Sequence, residues 1–226
     1  MSLVLYELAG AHPDRRFSPY CWRSHFCLWH KQLPFTTVPW RYNDKALIAK
    51  TGQGKVPVIH DGNQWVHDSW QIALYLEQQY PQHPLFVEGQ GRAEQFSHWC
   101  DSELNPALRW FLLKVIHGHL TPGDQAYFRR TREAQIGMTL EQSSQQADSD
   151  RLNTVLSELE DKLAEQDWFA GEQPGYSDYA LMGSLLWAAA TFDEDPLDGF
   201  APLLAWRSRL SQRYSGLKQY LFYYPL

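Results

Sequence analysis

Phe17-Ser18-Pro19-Tyr20-Cys21-Trp22-Arg23 follows a short apolar run, Leu3-Val4-Leu5-Tyr6-Glu7-Leu8, across a loop that holds Gly10 and Pro13. The run reads as a strand and the heptapeptide as the opening of a helix. Proline is favoured at the first helical position and serine is a preferred N-cap. Ser18 is therefore placed where unpaired backbone N–H groups and the positive end of the helix dipole converge, a setting that stabilises an anion or a thiolate. Trp22, Phe26 and Trp29 recur at helical spacing up to about Lys31, and Phe35-Thr36-Thr37-Val38-Pro39-Trp40 is β-branched and aromatic. The chain opens β-α-β.

Working outward, Arg41 to Gly54 is a polar connector, after which Val56-Pro57-Val58-Ile59-His60 and Gln64-Trp65-Val66-His67 flank Asp61-Gly62-Asn63. Two short apolar runs around an Asp-Gly turn predict a hairpin. Asp68-Ser69 then precede Trp70, Ala73, Leu74 and Leu76, which predicts a second N-cap and a helix to about Tyr80. Pro81 to Gly91 has prolines and glycines without periodicity, so we place a boundary there, between residues 1–82 and 91–226. The second part reads as entirely helical. One helix covers about Arg92 to Val115 and a polar one falls within residues 123–146. Leu152, Val155, Leu156, Leu159 and Leu163 mark an amphipathic helix. Tyr176 to Phe192 is apolar on every side, as a buried central helix requires; a last helix runs from about Pro202 to Arg213, and an aromatic tail spans Tyr220 to Leu226.

Composition narrows the function. The 226 residues carry 20 Lys and Arg against 26 Asp and Glu, a net charge of −6, with no basic run, so nucleic acid and anionic membrane are poor partners. No window approaches the ~18 apolar residues of a membrane span, and the first residues lack a basic, cleavable leader. Three cysteines, Cys21, Cys27 and Cys100, suit reduced thiols and a cytoplasmic setting. The nine histidines are scattered, and His117-Gly118-His119 lacks metal-ligand spacing, so no metal is expected.

Two further features carry chemistry. Pro57 cannot donate to a ladder, so it belongs on an edge strand, at a bulge or in a turn with a cis bond; the residues alone favour the edge. A cis bond would turn the Val56 backbone outward to pair with an extended peptide. Asp68-Ser69 reads first as a helix N-cap, and beyond that as a site for the carboxylate and ammonium of an amino-acid head group.

Taken together, Ser-Pro-Tyr-Cys-Trp-Arg opening a helix, then Gly-Lys-Val-Pro-Val-Ile, then Asp-Ser at a helix start and an all-helical half resemble the glutathione transferase superfamily, over nearly the whole chain. The Ser-Pro-Tyr form is similar to its serine-type branches, among them bacterial β-aryl-etherase-like and related fungal members. The resemblance implies a thioredoxin-like α/β domain followed by an all-α domain, with glutathione as co-substrate. It implies that Ser18 hydrogen-bonds the glutathione sulfur, that Lys55 and Val56 stand beside a cis Pro57 with the Val56 backbone pairing the cysteinyl unit, and that Asp68 and Ser69 hold the γ-glutamyl group. Asp178 matches the acidic residue of a helix-capping motif, although Gly175 stands where Ser or Thr is usual; glycine caps with a loss of only a few tenths of a kcal/mol.

The expected activity is attack of glutathione thiolate on an apolar, aromatic electrophile, by conjugation, ether cleavage or displacement, as in detoxification. The electrophile pocket is expected around Tyr20, Trp40, Trp99 and Trp110. Tyr6 is the rival activator, since other branches use a tyrosine at the end of the first strand. Asp101 is read as a solvated residue, or as one reaching a partner subunit's ligand in a homodimer. Two rival functions stand beside this one: a non-catalytic binder of glutathione or hydrophobic ligands, and a glutathione-dependent reductase or peroxidase that needs Cys21.

Overall fold

The computed structural model describes residues 3–191, 195–214 and 216–217; Phe192 and the Tyr220–Leu226 tail lie outside them. The α/β part runs β1 (Leu3–Leu8), α1 (Pro19–His30), β2 (Phe35–Trp40), a 3-10 turn (Lys45–Thr51), β3 (Val58–Asp61), β4 (Gln64–His67) and α2 (Ser69–Gln79). Its sheet has the order β2-β1-β3-β4, with β1 parallel to β2 and antiparallel to β3, and β3 antiparallel to β4. This is a thioredoxin-like domain, and a helical domain follows.

Nine α-helices are described in all. Those after α2 are α3 (Gln90–Trp99), α4 (Asn105–Gly118), α5 (Pro122–Ile136), the short α6 (Leu140–Ser143), α7 (Ser149–Leu163), α8 (Tyr176–Ala189) and α9 (Ala201–Arg213). The single helix expected from Arg92 to Val115 is divided. Pro106 has no N–H to return to the preceding turn and its ring crowds the carbonyl there. The backbone answers with a π-helical turn over Cys100–Leu104, in which the Asn105 N–H bonds the Cys100 carbonyl, before α4 resumes.

The edge-strand reading of Pro57 does not hold, because β3 lies inside the sheet; Pro57 stands just before the strand, where no ladder N–H is needed, and the Val56–Pro57 bond is cis.

The two domains share one core, centred on α1 and α8. Trp22, Phe26 and Leu28 of α1 are fully buried, as are Tyr176, Tyr179 and Leu186 of α8. The helices approach so closely that a Cβ added at Gly183 would lie 2.4 Å from the Pro19 carbonyl oxygen. Asp178 ties down the start of α8. Its carboxylate accepts from the backbone N–H groups of Phe169, Ala170 and Gly175 at 2.9, 3.1 and 3.1 Å, and from Trp206 Nε1 at 2.7 Å.

Gly175 turns out to be more than a tolerable cap. A Cβ there would meet Ala170 at 2.8 Å and the Leu85 carbonyl at 2.9 Å, so no side-chain cap fits. Glu88 supplies the cap from a distance: its Oε1 accepts from Ser177 N–H at 3.2 Å and from Ser177 Oγ at 2.6 Å.

Candidate functional site

The first turn of α1 opens into a cleft between the two domains. Ser18 is the N-cap, with φ −86° and ψ 121°, and its Oγ accepts from the Cys21 N–H at 3.2 Å. One lone pair is thereby used inside the fold; the hydroxyl still carries one proton, and the Cys21 thiol lies within its reach. Ser18 is only 5% exposed, so a bond formed there is shielded from bulk water.

The cleft has a volume of about 470 Å³, and Ser18, Tyr20, Trp40, Lys55 and Val56 all line it from the α/β side. Lys55 is pinned by its neighbour Gln53, whose Oε1 accepts from the Lys55 N–H at 2.6 Å while its Nε2 donates to the Lys55 carbonyl at 2.7 Å. Among the described residues, neither the N–H nor the C=O of Val56 has a hydrogen-bond partner. The buried Trp40 likewise leaves its indole N–H without one.

Asp68 and Ser69 sit at the start of α2 and do not line this cavity. Asp68 is exposed and takes φ +72°; its Oδ1 accepts from the Trp70 and Gln71 N–H groups at 3.0 and 3.1 Å, while Ser69 is buried. A side-chain carboxylate that already caps the helix holds a non-glycine residue in the left-handed region.

Tyr6 is turned elsewhere. It stacks on Trp65, with ring centroids 5.6 Å apart, and is not among the cleft-lining residues. Trp99 and Trp110 are not among them either. Trp99 packs beside Phe96, and the Trp110 ring carries the Arg109 guanidinium 4.4 Å above its centre.

Cys21, one turn into α1, is buried; its Sγ accepts from the Leu8 N–H at 3.5 Å. Burial, with the nearby Glu7 carboxylate, pushes its thiol up to about 12, so it stays protonated at neutral pH. Burial also pushes the thiols of Cys27 and Cys100 upward.

Asp101 is not simply a solvated residue. It lies on the π-helical turn, and its two oxygens are taken by the buried Arg23 at 2.7 and 3.2 Å, with Asn105 Nδ2 donating at 2.9 Å. Arg23 also donates to Ser97 at 3.2 Å and lies 4.9 Å above the Tyr20 ring. The wide π turn thus faces the first helix and bolts the two domains together beneath the cleft.

With this geometry in place, two family models match the chain: a glutathione S-transferase N-terminal domain over residues 17–79 and a glutathione S-transferase C-terminal domain over residues 93–216. The chain belongs to the glutathione S-transferase family. Among relatives, it is 36% identical over 77 residues to pyrimidodiazepine synthase of Drosophila melanogaster, a match covering 31% of this chain and 32% of that protein. It is 24% identical over 161 residues to glutathione S-transferase theta-2 of Mus musculus, covering 69% and 59% of the two chains. The matches thus span less than two thirds of these relatives. A glutathione S-transferase of Ceriporiopsis subvermispora, solved in complex with glutathione, superposes with a TM-score of 0.80 at 24% identity, covering 94% of this chain and 97% of that one, which shows the shared fold.

On the helical side of the cleft, Arg109 of α4, Arg132 of α5 and Trp187 of α8 join the lining. Sequence reasoning passed over all three. Each arrives by packing from a different helix, and no local motif announces them. A larger open hollow of about 800 Å³, bounded in part by Glu88, Arg92 and Phe169, contains none of the expected site residues.

Proposed function

We propose that this protein is a glutathione transferase in which Ser18 activates the glutathione sulfur and the cleft between the domains receives the electrophile. One observation carries the reading: the N-cap hydroxyl of α1 and the unpartnered backbone of Val56 open into the same cleft. Residues 1–82 hold glutathione and residues 91–226 supply most of the electrophile wall. The Val56 N–H and C=O pair with the cysteinyl backbone beside Pro57, Lys55 faces a carboxylate, and Asp68 with Ser69 takes the γ-glutamyl head group at the start of α2. The bound tripeptide supplies a thiolate. Ser18 donates to that sulfur, and the helix N-terminus adds its positive end, so the charged form is favoured over the thiol. Each pKa unit of depression from ~8.5 corresponds to ~1.4 kcal/mol, and two such units suffice to make the thiolate abundant at pH 7.

Tyr20 and Trp40 give an aromatic surface for a planar electrophile, whereas Trp99 and Trp110 act behind the wall. The protonated, buried Cys21 favours transfer over thiol-disulfide exchange. We further infer a homodimer in the reducing cytoplasm with a role in detoxification, in line with the family and three free cysteines.

Replacing Ser18 with Ala tests the assignment. Turnover is expected to fall about a hundredfold with the glutathione KM changed only a few-fold, together with loss of the near-ultraviolet thiolate absorbance on glutathione titration. Unchanged turnover would transfer the role to a backbone N–H at the start of α1.

A further inference from the structure

The electrophile wall is charged, and its charge has the opposite sign to the protein's. The chain carries −6 overall. Among the described residues, the charged side chains lining the cleft are nevertheless Lys55, Arg109 and Arg132 against one carboxylate, Asp101, which Arg23 already neutralises. Among the described residues, Arg109 and Arg132 have no carboxylate within ion-pair distance. This differs from the neighbouring Arg129, which is shared by Glu133 and Glu141.

Both guanidinium groups are held in place without being neutralised. Arg109 lies 4.4 Å above the Trp110 ring and Arg132 lies 5.2 Å from the centre of the Phe128 ring. Arg132 also hydrogen-bonds the Tyr42 hydroxyl; an aromatic face steadies a planar cation while leaving its remaining in-plane N–H groups to donate, the arrangement that recognises a carboxylate, sulfonate or phosphate. Arg109 adds an independent sign: among the described residues its buried Nε–H has no hydrogen-bond partner. A buried donor left unmatched costs about 1–3 kcal/mol, and an anionic ligand seated in the cleft would recover it.

We propose that Arg109 and Arg132 are specificity-determining residues that select an aromatic electrophile bearing an anionic group. The proposal rests on the transferase reading above and narrows its substrate class from simply apolar to aromatic and anionic. The ring lies against Tyr20 and Trp40, near the sulfur site at Ser18, and the anion lies on the helical wall between α4 and α5. In the test reaction below, a C–S bond forms at the ring carbon as the C–Cl bond breaks. Chloride leaves with the bonding pair, and the thiol proton goes to solvent.

The experiment compares two electrophiles of equal size. One is a chloronitrobenzoic acid with chlorine para to the carboxylate and ortho to the nitro group; the other is its neutral primary amide. Each kcat/KM is divided by the uncatalysed rate constant with glutathione, which removes the difference in intrinsic reactivity. The wild-type protein is expected to favour the acid by about tenfold or more, and Arg109→Gln and Arg132→Gln each to lower that acid-to-amide ratio by about ten- to a hundredfold, chiefly through KM. A ratio within any variant is insensitive to partial loss of folded protein.

Turnover of both compounds without preference for the acid overturns the proposal and leaves the transferase reading standing. So does an unchanged ratio accompanied by loss of glutathione affinity in the variants, which would give the arginines to the tripeptide instead. If neither compound is turned over, the transferase reading fails and binding decides the anion site: fluorescent anilinonaphthalene sulfonate should bind wild type about tenfold more tightly than uncharged phenylnaphthylamine, a margin lost in both variants. Equal affinity for the two dyes overturns the proposal without reference to catalysis.

Discussion

The two walls of the cleft are built by different means. The α/β wall is built around backbone at fixed turns, the capped helix start at Ser18 and the Val56 amide before Pro57, with the Tyr20, Trp40 and Lys55 side chains beside them. The helical wall is made of side chains, Arg109, Arg132 and Trp187, each delivered by its own helix. Backbone groups at fixed turns are nearly the same whatever side chains surround them, so the first wall is suited to a constant ligand. The second changes with every substitution on α4, α5 or α8, so it can be tuned to one electrophile without disturbing the other wall.

If that division is right, the largest damage should come from loosening the helix that both walls lean on. Asp178 is the anchor of α8. Its removal as Asp178→Ala would orphan two buried backbone N–H groups, the part-buried N–H of Phe169 and the buried Trp206 indole N–H. At about 1–3 kcal/mol for each unmatched donor, the loss should exceed about 4 kcal/mol and leave little folded protein at physiological temperature. Thermal melts and soluble yield measure it, and a melting temperature within a few degrees of wild type would show that α8 does not need this cap.

Next in size is the bolt between the walls. Arg23 is 1% exposed and Asp101 34% exposed, and Asp101→Leu would leave the guanidinium with Ser97 as its remaining side-chain hydrogen-bond partner. Stranding a buried charge costs about 3–5 kcal/mol, and partial exposure of the carboxylate trims this to about 2–4. The double variant Arg23→Met/Asp101→Leu removes both charges and should recover part of the loss in urea denaturation. A double variant less stable than Asp101→Leu would mean that Arg23 acts through packing rather than as the partner of Asp101.

The contrast between the walls also explains what could be read in advance. The β-α-β opening, the hairpin and the helical second half follow from periodicity and turn chemistry, and Ser18, Pro57 and Asp68 announce themselves because capping and proline geometry are local. The π turn at Cys100–Leu104 was not legible, although its cause, Pro106, was in plain view, because one proline in an otherwise good helix permits a kink, a break or a bulge. Arg109 and Arg132 look like ordinary surface residues until α4 and α5 are placed on the cleft. The capping of Ser177 by Glu88 spans 89 positions, beyond the reach of any local pattern.

The smallest effect is a slope rather than a loss, and it probes the same two elements behind the cleft. At the far end of α1 from Ser18, His30 Nδ1 meets the Tyr179 hydroxyl of α8 at 2.5 Å, and Tyr179 meets Tyr214 at 2.7 Å. The Pro84 backbone is a second hydrogen-bond partner of the His30 ring. Burial, with the charges of Lys31 and Arg213 and the nearby His83, lowers His30 from 6.5 to about 4. An imidazole that takes a proton at 6.5 when unfolded and only near 4 when folded favours the unfolded chain as acid is added. The stability that neutral His30 contributes is therefore complete above pH 6.5 and is lost as pH falls toward 4, by about 3 kcal/mol at most. Asp178, raised by burial to about 6, contributes a slope of opposite sign over part of this range, but it does so in wild type and variant alike. The difference between wild type and His30→Gln, which keeps an acceptor for Tyr179, isolates the histidine. The variant's unfolding free energy should fall less steeply than wild type's between pH 6.5 and 4, and parallel curves would show that the junction of α1 and α8 does not depend on a neutral His30.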